Sequence, residues 1–298
     1  MEITGSRGTL RRGLRGSLIA GLALFSACVV APSAVAARVS RCTGTAEAPG
    51  ILSGQYAGPV LVEGVCKVDS GRAIVRGNLV ITEGSTLLAA YGQDNSRLTV
   101  HGRVRVLKGA TLILGCEPEH FACFDDPDPE DPTLSSRSRI FGNLVANEAL
   151  GVVVHNSRIF GRVRQIGGGG GESCEPTGPF AEFDSPVYSD YEDTTIRGNI
   201  RVSGLASCWL GLARLRVSGD MRIKENQLAD PDAIEILSNV IYGNLVCVGN
   251  SMVWNSADLT EELYPRSPEP NTVFGRRRGQ CVLASPETEG GEPGPGPF

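Results

Sequence analysis

The stretch Ile140-Phe141-Gly142-Asn143-Leu144-Val145-Ala146 decides how this chain is read. Two near copies are Val75-Arg76-Gly77-Asn78-Leu79-Val80-Ile81 and Ile241-Tyr242-Gly243-Asn244-Leu245-Val246-Cys247. Aligned on the glycine, seven copies centre on Gly77, Gly102, Gly142, Gly161, Gly198, Gly219 and Gly243. Two residues before each glycine stands Val75, Val100, Ile140, Ile159, Ile196, Val217 or Ile241, all β-branched. Two residues after it stands Leu79, Val104, Leu144, Val163, Ile200, Met221 or Leu245, all apolar. The next position of that parity is mostly apolar, with Gln165 the exception. Between them come polar residues such as Arg103, Arg105, Arg162, Arg164, Arg201 and Arg222. Alternation of period two with one apolar face is the pattern of a half-buried strand. The glycine shares the apolar face, where it permits a bend or a close approach of backbones. Asparagine follows it in four copies and tolerates the left-handed backbone that a bend requires.

The glycines are 25, 40, 19, 37, 21 and 24 residues apart. The short intervals match a solenoid coil of roughly 20 to 25 residues, with no room for a crossover helix. The long ones carry insertions at 115–136 and 167–193. The expected fold is all-β: a single-stranded right-handed parallel β-helix of seven to eight coils. Stacked at about 4.8 Å, they would form a rod about 35 to 40 Å long. A β-sandwich would also alternate, but it does not predict one phrase at coil-sized intervals.

Residues 1–37 read as an export signal: Arg7, Arg11, Arg12 and Arg15, an apolar run over 18–30, then Ala34-Val35-Ala36. The run is too short and glycine-rich for a membrane span. Phe25-Ser26-Ala27-Cys28 offers the alternative of a lipid anchor on Cys28. Without the signal the chain holds 24 basic and 32 acidic residues, a net charge of -8. That acidity argues against nucleic acid as a partner and suits a secreted or cell-wall-associated chain.

Eight cysteines lie beyond the signal: Cys42, Cys66, Cys116, Cys123, Cys174, Cys208, Cys247 and Cys281. An even number in an exported chain reads as four disulfides. Connectivity stays open; the sequential pairing 42–66, 116–123, 174–208, 247–281 is the simplest, since each pair closes a segment between or beside repeats. Open solenoid edges require caps. Residues 42–66 suit one end, and 256–283 the other, with a short helix starting at Ser256. The main domain thus spans 38–283, and 284–298, rich in Pro, Gly and Glu, reads as a disordered tail.

No complete catalytic set stands out. The carboxylates of the first insertion, Asp125, Asp126 and Asp128 among them, suit calcium by their oxygen chemistry, but the glycine-turn spacing of a calcium loop is missing. The glycine run 167–171 could cradle an anion, yet no Lys-Ser/Thr follows it. Arg222-Ile223-Lys224 echoes one short motif of the polygalacturonases, without its companion motifs. His101 and His155 sit beside repeat strands, and Trp209 and Trp254 suit packing against a cap.

On the Gly-Asn-Leu/Ile phrases, Val152-Val153-Val154-His155-Asn156-Ser157, the run 167–171, and Gly243-Asn244-Leu245-Val246-Cys247 leading to Gly279-Gln280-Cys281, the chain resembles uncharacterised exported actinobacterial parallel β-helix proteins. It is more loosely similar to bactofilin-like and pectin-lyase-like β-solenoids. The resemblance implies a fold and no activity. The disulfides speak against bactofilin-like self-polymerisation, so a monomer is expected. The functional expectation is a non-enzymatic structural or binding module, with extracellular polysaccharide or protein as partner. The competing expectation is a polysaccharide lyase or hydrolase, which requires carboxylates of the two insertions to converge on one groove.

Overall fold

The computed structural model describes residues 38–230, 233–255 and 271–282. The expected signal 1–37 with Cys28, the cap helix beginning at Ser256 and the tail 284–298 lie outside the described residues, as does the Trp254 side chain.

The chain is nearly all β, and its strands pair in parallel. One turn around the molecule shows why. Arg139–Ile140 lies in one sheet, Leu144–Asn147 in a second and Gly151–Val154 in a third, and Arg158–Ile159 returns to the first. We call these the corner sheet, the phrase sheet and the insertion sheet. Each strand pairs with its equivalents before and after: Leu144 with Val104 and Val163, Val152 with Leu112, and Ile140 with Val100 and Ile159. Among the described residues nine strands form the corner sheet. The other two sheets fuse through the long strand Val60–Lys67, which turns the corner between them.

The two apolar positions flanking each phrase glycine point into the molecule. Val75, Leu79, Ile140, Leu144, Ile196, Ile200, Ile241 and Leu245 are all buried in one continuous core. Gln165, the polar exception in the inward row, is satisfied there: its amide donates to Ser189 Oγ and its carbonyl accepts from Tyr191 OH, both at 2.8 Å. A buried polar group is tolerated only when bonded in this way.

The phrase glycine is required for close approach. Gly102 donates its N–H to Gly77 O at 3.0 Å, and Gly142 donates to Gly102 O at 3.0 Å. A Cβ on Gly102 would stand 2.5 Å from Gly77 O. The chain extends the row at both ends, to Gly58 and to Gly275 within Val273-Phe274-Gly275-Arg276, an eighth copy. The asparagine has a different role from the one expected. Asn78, Asn143, Asn199 and Asn244 do not adopt left-handed backbone. Their side-chain oxygens accept the N–H of the equivalent residue one coil on: Arg103, Arg162, Asp220 and Arg276. Asp220 does the same for Asn244.

Stacked amide ladders occupy the other two corners. Asn226 N–H donates to Asn250 Oδ1, and Asn250 N–H to Gln280 Oε1. Asn239 N–H donates to Asn271 Oδ1 in the same way. Four disulfides join Cys42 to Cys66, Cys116 to Cys123, Cys174 to Cys208 and Cys247 to Cys281.

Both insertions fold over the outer face of the insertion sheet. Leu88, Ile113 and Val153 on that face form a second apolar cluster with Phe180 and Val187 of one insertion and Phe121, Phe124 and the Cys116–Cys123 bridge of the other. This explains why strands such as Thr111–Leu114 and Gly151–Val154 are buried on both sides. The second insertion is shorter than its expected 167–193, because Tyr188–Glu192 is itself a strand of the insertion sheet. The glycine run 167–171 is no open cradle. All five residues have positive φ, and Gly169 and Gly171 donate their N–H groups to Ala149 O and Ala206 O.

Candidate functional site

The exposed sides of the phrase sheet and the corner sheet carry an arginine field. The outward row of the phrase sheet runs Val80, Arg105, Val145, Arg164, Arg201, Arg222, Val246 and Arg278 in strict register. Three consecutive rungs are therefore arginine. Along the corner sheet the outward row carries Arg139, Arg158 and Arg216. The residues just before and after the phrase glycines add Arg76, Arg103, Arg162, Arg197 and Arg276. Asp220 is the one acid in these rows, and it pairs with Arg222 at 2.7 Å. Among the described residues no carboxylate lies within ion-pair reach of Arg105, Arg164 or Arg201. Two like charges one rung apart repel by roughly 0.8 kcal/mol in water.

Between the two sheets runs a ring ladder. His101, Phe141 and Phe160 stack with centroids 4.9 and 4.7 Å apart, and Arg197 closes the stack 4.7 Å from the Phe160 ring. Further along, Tyr242 stacks on Phe274 at 5.0 Å, and Arg216 lies over Tyr242. Since Phe141 is covered on both faces, it offers only its edge to solvent. A ring used to bind sugar presents its face, which Phe141 does not.

The opposite side holds a buried charge cluster. Outward on the insertion sheet, the row Leu88, Ile113, Val153 turns acidic at Asp190. Glu192 stands two residues on, and His155 occupies the matching place one coil earlier. The first insertion brings Glu117 above them. His155 Nε2 lies 2.9 Å from Asp190 Oδ2, within ion-pair reach but off the line of a hydrogen bond. Its Nδ1 lies 3.5 Å from Glu117 Oε1 and 3.7 Å from Glu192 Oε2. Phe121 stacks on the imidazole at 4.2 Å. Arg214 pairs with Glu192 and, at 2.9 Å, with Asp193. Asp193 and Arg214 are corner residues with φ of 46° and 51°, a left-handed backbone that costs a residue with a Cβ about 1 to 2 kcal/mol. Side-chain exposure falls from 25% at Arg214 and 13% at Glu117 to 1% at His155 and 0% at Asp190.

Burial and charge pull these groups in opposite directions. Desolvation lowers the basicity of His155, but Asp190 above all, with Glu117 and Glu192, outweighs it and carries the pKa up to about 10. Desolvation raises the pKa of Glu117, against the opposing pull of His155. Glu192 is pushed well up by desolvation and then by the neighbouring Asp190 charge.

The residues singled out in the sequence fall elsewhere. Asp125 accepts the N–H groups of Gly92 and Gln93 at 2.7 and 2.9 Å. Asp126 accepts those of Thr133 and Leu134 at 2.8 and 2.7 Å. Asp128 accepts from Glu130 and Asp131. Of the three carboxylates expected to suit calcium, Asp126 and Asp128 thus bond within their own loop, and Asp125 ties that loop to residues 92 and 93. Ile223 of Arg222-Ile223-Lys224 is a core residue. Trp209 is buried against Tyr188 at 4.1 Å. Glu117 of the first insertion does meet Asp190 and Glu192, which stand on the insertion sheet itself, at His155, but in a packed cluster. Asp190 and Glu192 escaped sequence reasoning as a pair with Glu117, because 73 and 75 residues separate them from it. Their one signal was two acids at alternate positions of Tyr188-Ser189-Asp190-Tyr191-Glu192.

No protein-family model, curated protein or solved structure matches the chain. Among the described residues no helix is long and apolar enough to cross a membrane.

Proposed function

We propose that the protein is an exported, non-enzymatic binding module that holds an anionic polysaccharide along its arginine field. The supporting observation is the run Arg164, Arg201, Arg222 on consecutive rungs, in a chain whose overall balance is acidic. Like charges stacked at strand spacing, about 4.8 Å, fit a linear polymer carrying repeated charges better than a compact ligand. The parallel pairing supports the right-handed β-helix reading over a sandwich, whose sheets are antiparallel. The four disulfides suit an oxidising, extracellular or cell-wall location. The arginine field also qualifies the inference from net charge, which averages two faces of opposite sign.

Binding to immobilised polygalacturonate, a neutral glucan and a DNA duplex tests this. The polyuronate should bind, weaken steeply with salt as counterions are released, and lose at least tenfold in affinity when Arg164, Arg201 and Arg222 become Gln. Binding of the neutral glucan with equal strength, or indifference to the triple substitution, would refute the reading. Preference for DNA would replace polysaccharide as the partner.

The enzyme reading keeps one observation in its favour, the meeting of Glu117 with Asp190 and Glu192. A chemistry on these groups needs substrate at atoms that are nearly inaccessible at His155 and Asp190. Incubation with plant and bacterial polysaccharides should release no oligosaccharides.

A further inference from the structure

The cluster under the insertions holds more carboxyl groups than cations. Glu117, Asp190, Glu192 and Asp193 face one guanidinium, Arg214, and one imidazole, His155. Several of the polar atoms aimed into it have no hydrogen-bond partner: both oxygens of Glu117, both of Asp190, Glu192 Oε1 and His155 Nδ1. Asp190, Glu192 and His155 are at most 1% exposed. Leaving such buried atoms without a hydrogen bond costs about 1 to 3 kcal/mol each. In a native fold that cost calls for a missing partner.

The spacing indicates which one. Around a four-coordinate ion with ligand bonds of about 2.0 to 2.1 Å, neighbouring ligand atoms stand roughly 3.4 Å apart. Glu117 Oε1 and Glu192 Oε2 lie 3.5 and 3.7 Å from His155 Nδ1. Single ligand atoms of Glu117, His155 and Asp193 all fall within 4.8 Å of one another. On the far side of the ring Asp190 stands 2.9 Å from Nε2, where a carboxylate orients a metal-bound histidine. Phe121 over the ring and the Cys116–Cys123 bridge hold Glu117 in place. Imidazole with carboxylates, and no thiolate, suits a first-row divalent ion better than calcium, which takes oxygen alone.

We propose that His155 Nδ1, Glu117 and Asp193 bind one divalent transition ion of the zinc type, with Glu192, which pairs with Arg214, beside them. The ion replaces the Nδ1 proton and clamps the first insertion to the insertion sheet. It is a structural fastening between segments far apart in the chain, and it is independent of the arginine field on the opposite side.

The test uses the untagged, oxidised chain, stripped by chelator and titrated with zinc chloride in a calorimeter. One ion per chain should bind, and the thermal midpoint should rise with it. Glu117→Gln should weaken zinc at least tenfold while keeping the native circular dichroism. Should that variant misfold, Asp193→Asn at the exposed rim serves, with a loss of at least threefold. Cobalt(II) gives a second readout: the intense visible bands of a four-coordinate ion should appear in the parent and vanish in the variant. Absence of stoichiometric zinc uptake by the folded parent, or unchanged uptake by both variants, would overturn the proposal and leave an imidazolium–carboxylate lock.

Discussion

Gly142 donates its backbone N–H to the carbonyl of Gly102 at 3.0 Å, where successive coils approach closely. A side chain there would strike the backbone of the preceding coil. Gly142→Ala is therefore expected to cost about 3 kcal/mol, the upper range for overpacking. Gly84→Ala is the control. Its site is open, but φ is +66°, so the cost should be about 1 kcal/mol. Denaturant midpoints of the two variants compare steric with conformational strain.

Leu144 is buried in the inward row, whereas Arg103 is exposed on the outward one. Leu144→Asp places an unpaired charge in the core and should destabilise by at least about 4 kcal/mol. Arg103→Gln should stay within about 0.5 kcal/mol. Equal, small effects in urea denaturation would mean that the inward assignment is wrong.

Arg214 compensates the buried Glu192. Arg214→Leu in chelator should cost about 3 kcal/mol, because it strands a charge that cannot reach water. Adding Glu192→Gln should recover part of that loss. A double-mutant cycle with no coupling would show that the pair is not an energetic unit.

Asp126 holds the first insertion by accepting N–H groups, that of Leu134 foremost, which lowers its carboxyl pKa from the ordinary 3.8. A lowered folded-state pKa gives stability that is complete above the unfolded value and lost as pH falls through the folded one. Amide exchange at Thr133 and Leu134 should thus accelerate below about pH 3.8. Asp126→Asn should show the faster exchange already at neutral pH.

The candidate site was only partly legible. The arginines of the outward row are visible as every second residue, yet their alignment into one field depends on register between coils. Arg164, Arg201 and Arg222 are neighbours only because Val163, Ile200 and Met221 stack beneath them. The amide ladders at the other corners were missed for a similar reason. Asn226 and Asn250 are 24 residues apart in loops without an apolar pattern to align them. The role of Asn143 was misread, since sequence shows a residue able to take left-handed backbone but not the N–H of Arg162 waiting one coil on.

By itself the sequence determined the inward apolar row and the all-β character, because a period of two and a recurring glycine are local constraints that each coil obeys alone. Only the tertiary structure decided that the insertions share one face, that Glu117 meets His155 and Glu192 there, and that the phrase glycine is needed for contact and not for a bend. Those outcomes depend on which backbones lie side by side, and stacking brings together residues that the chain keeps far apart.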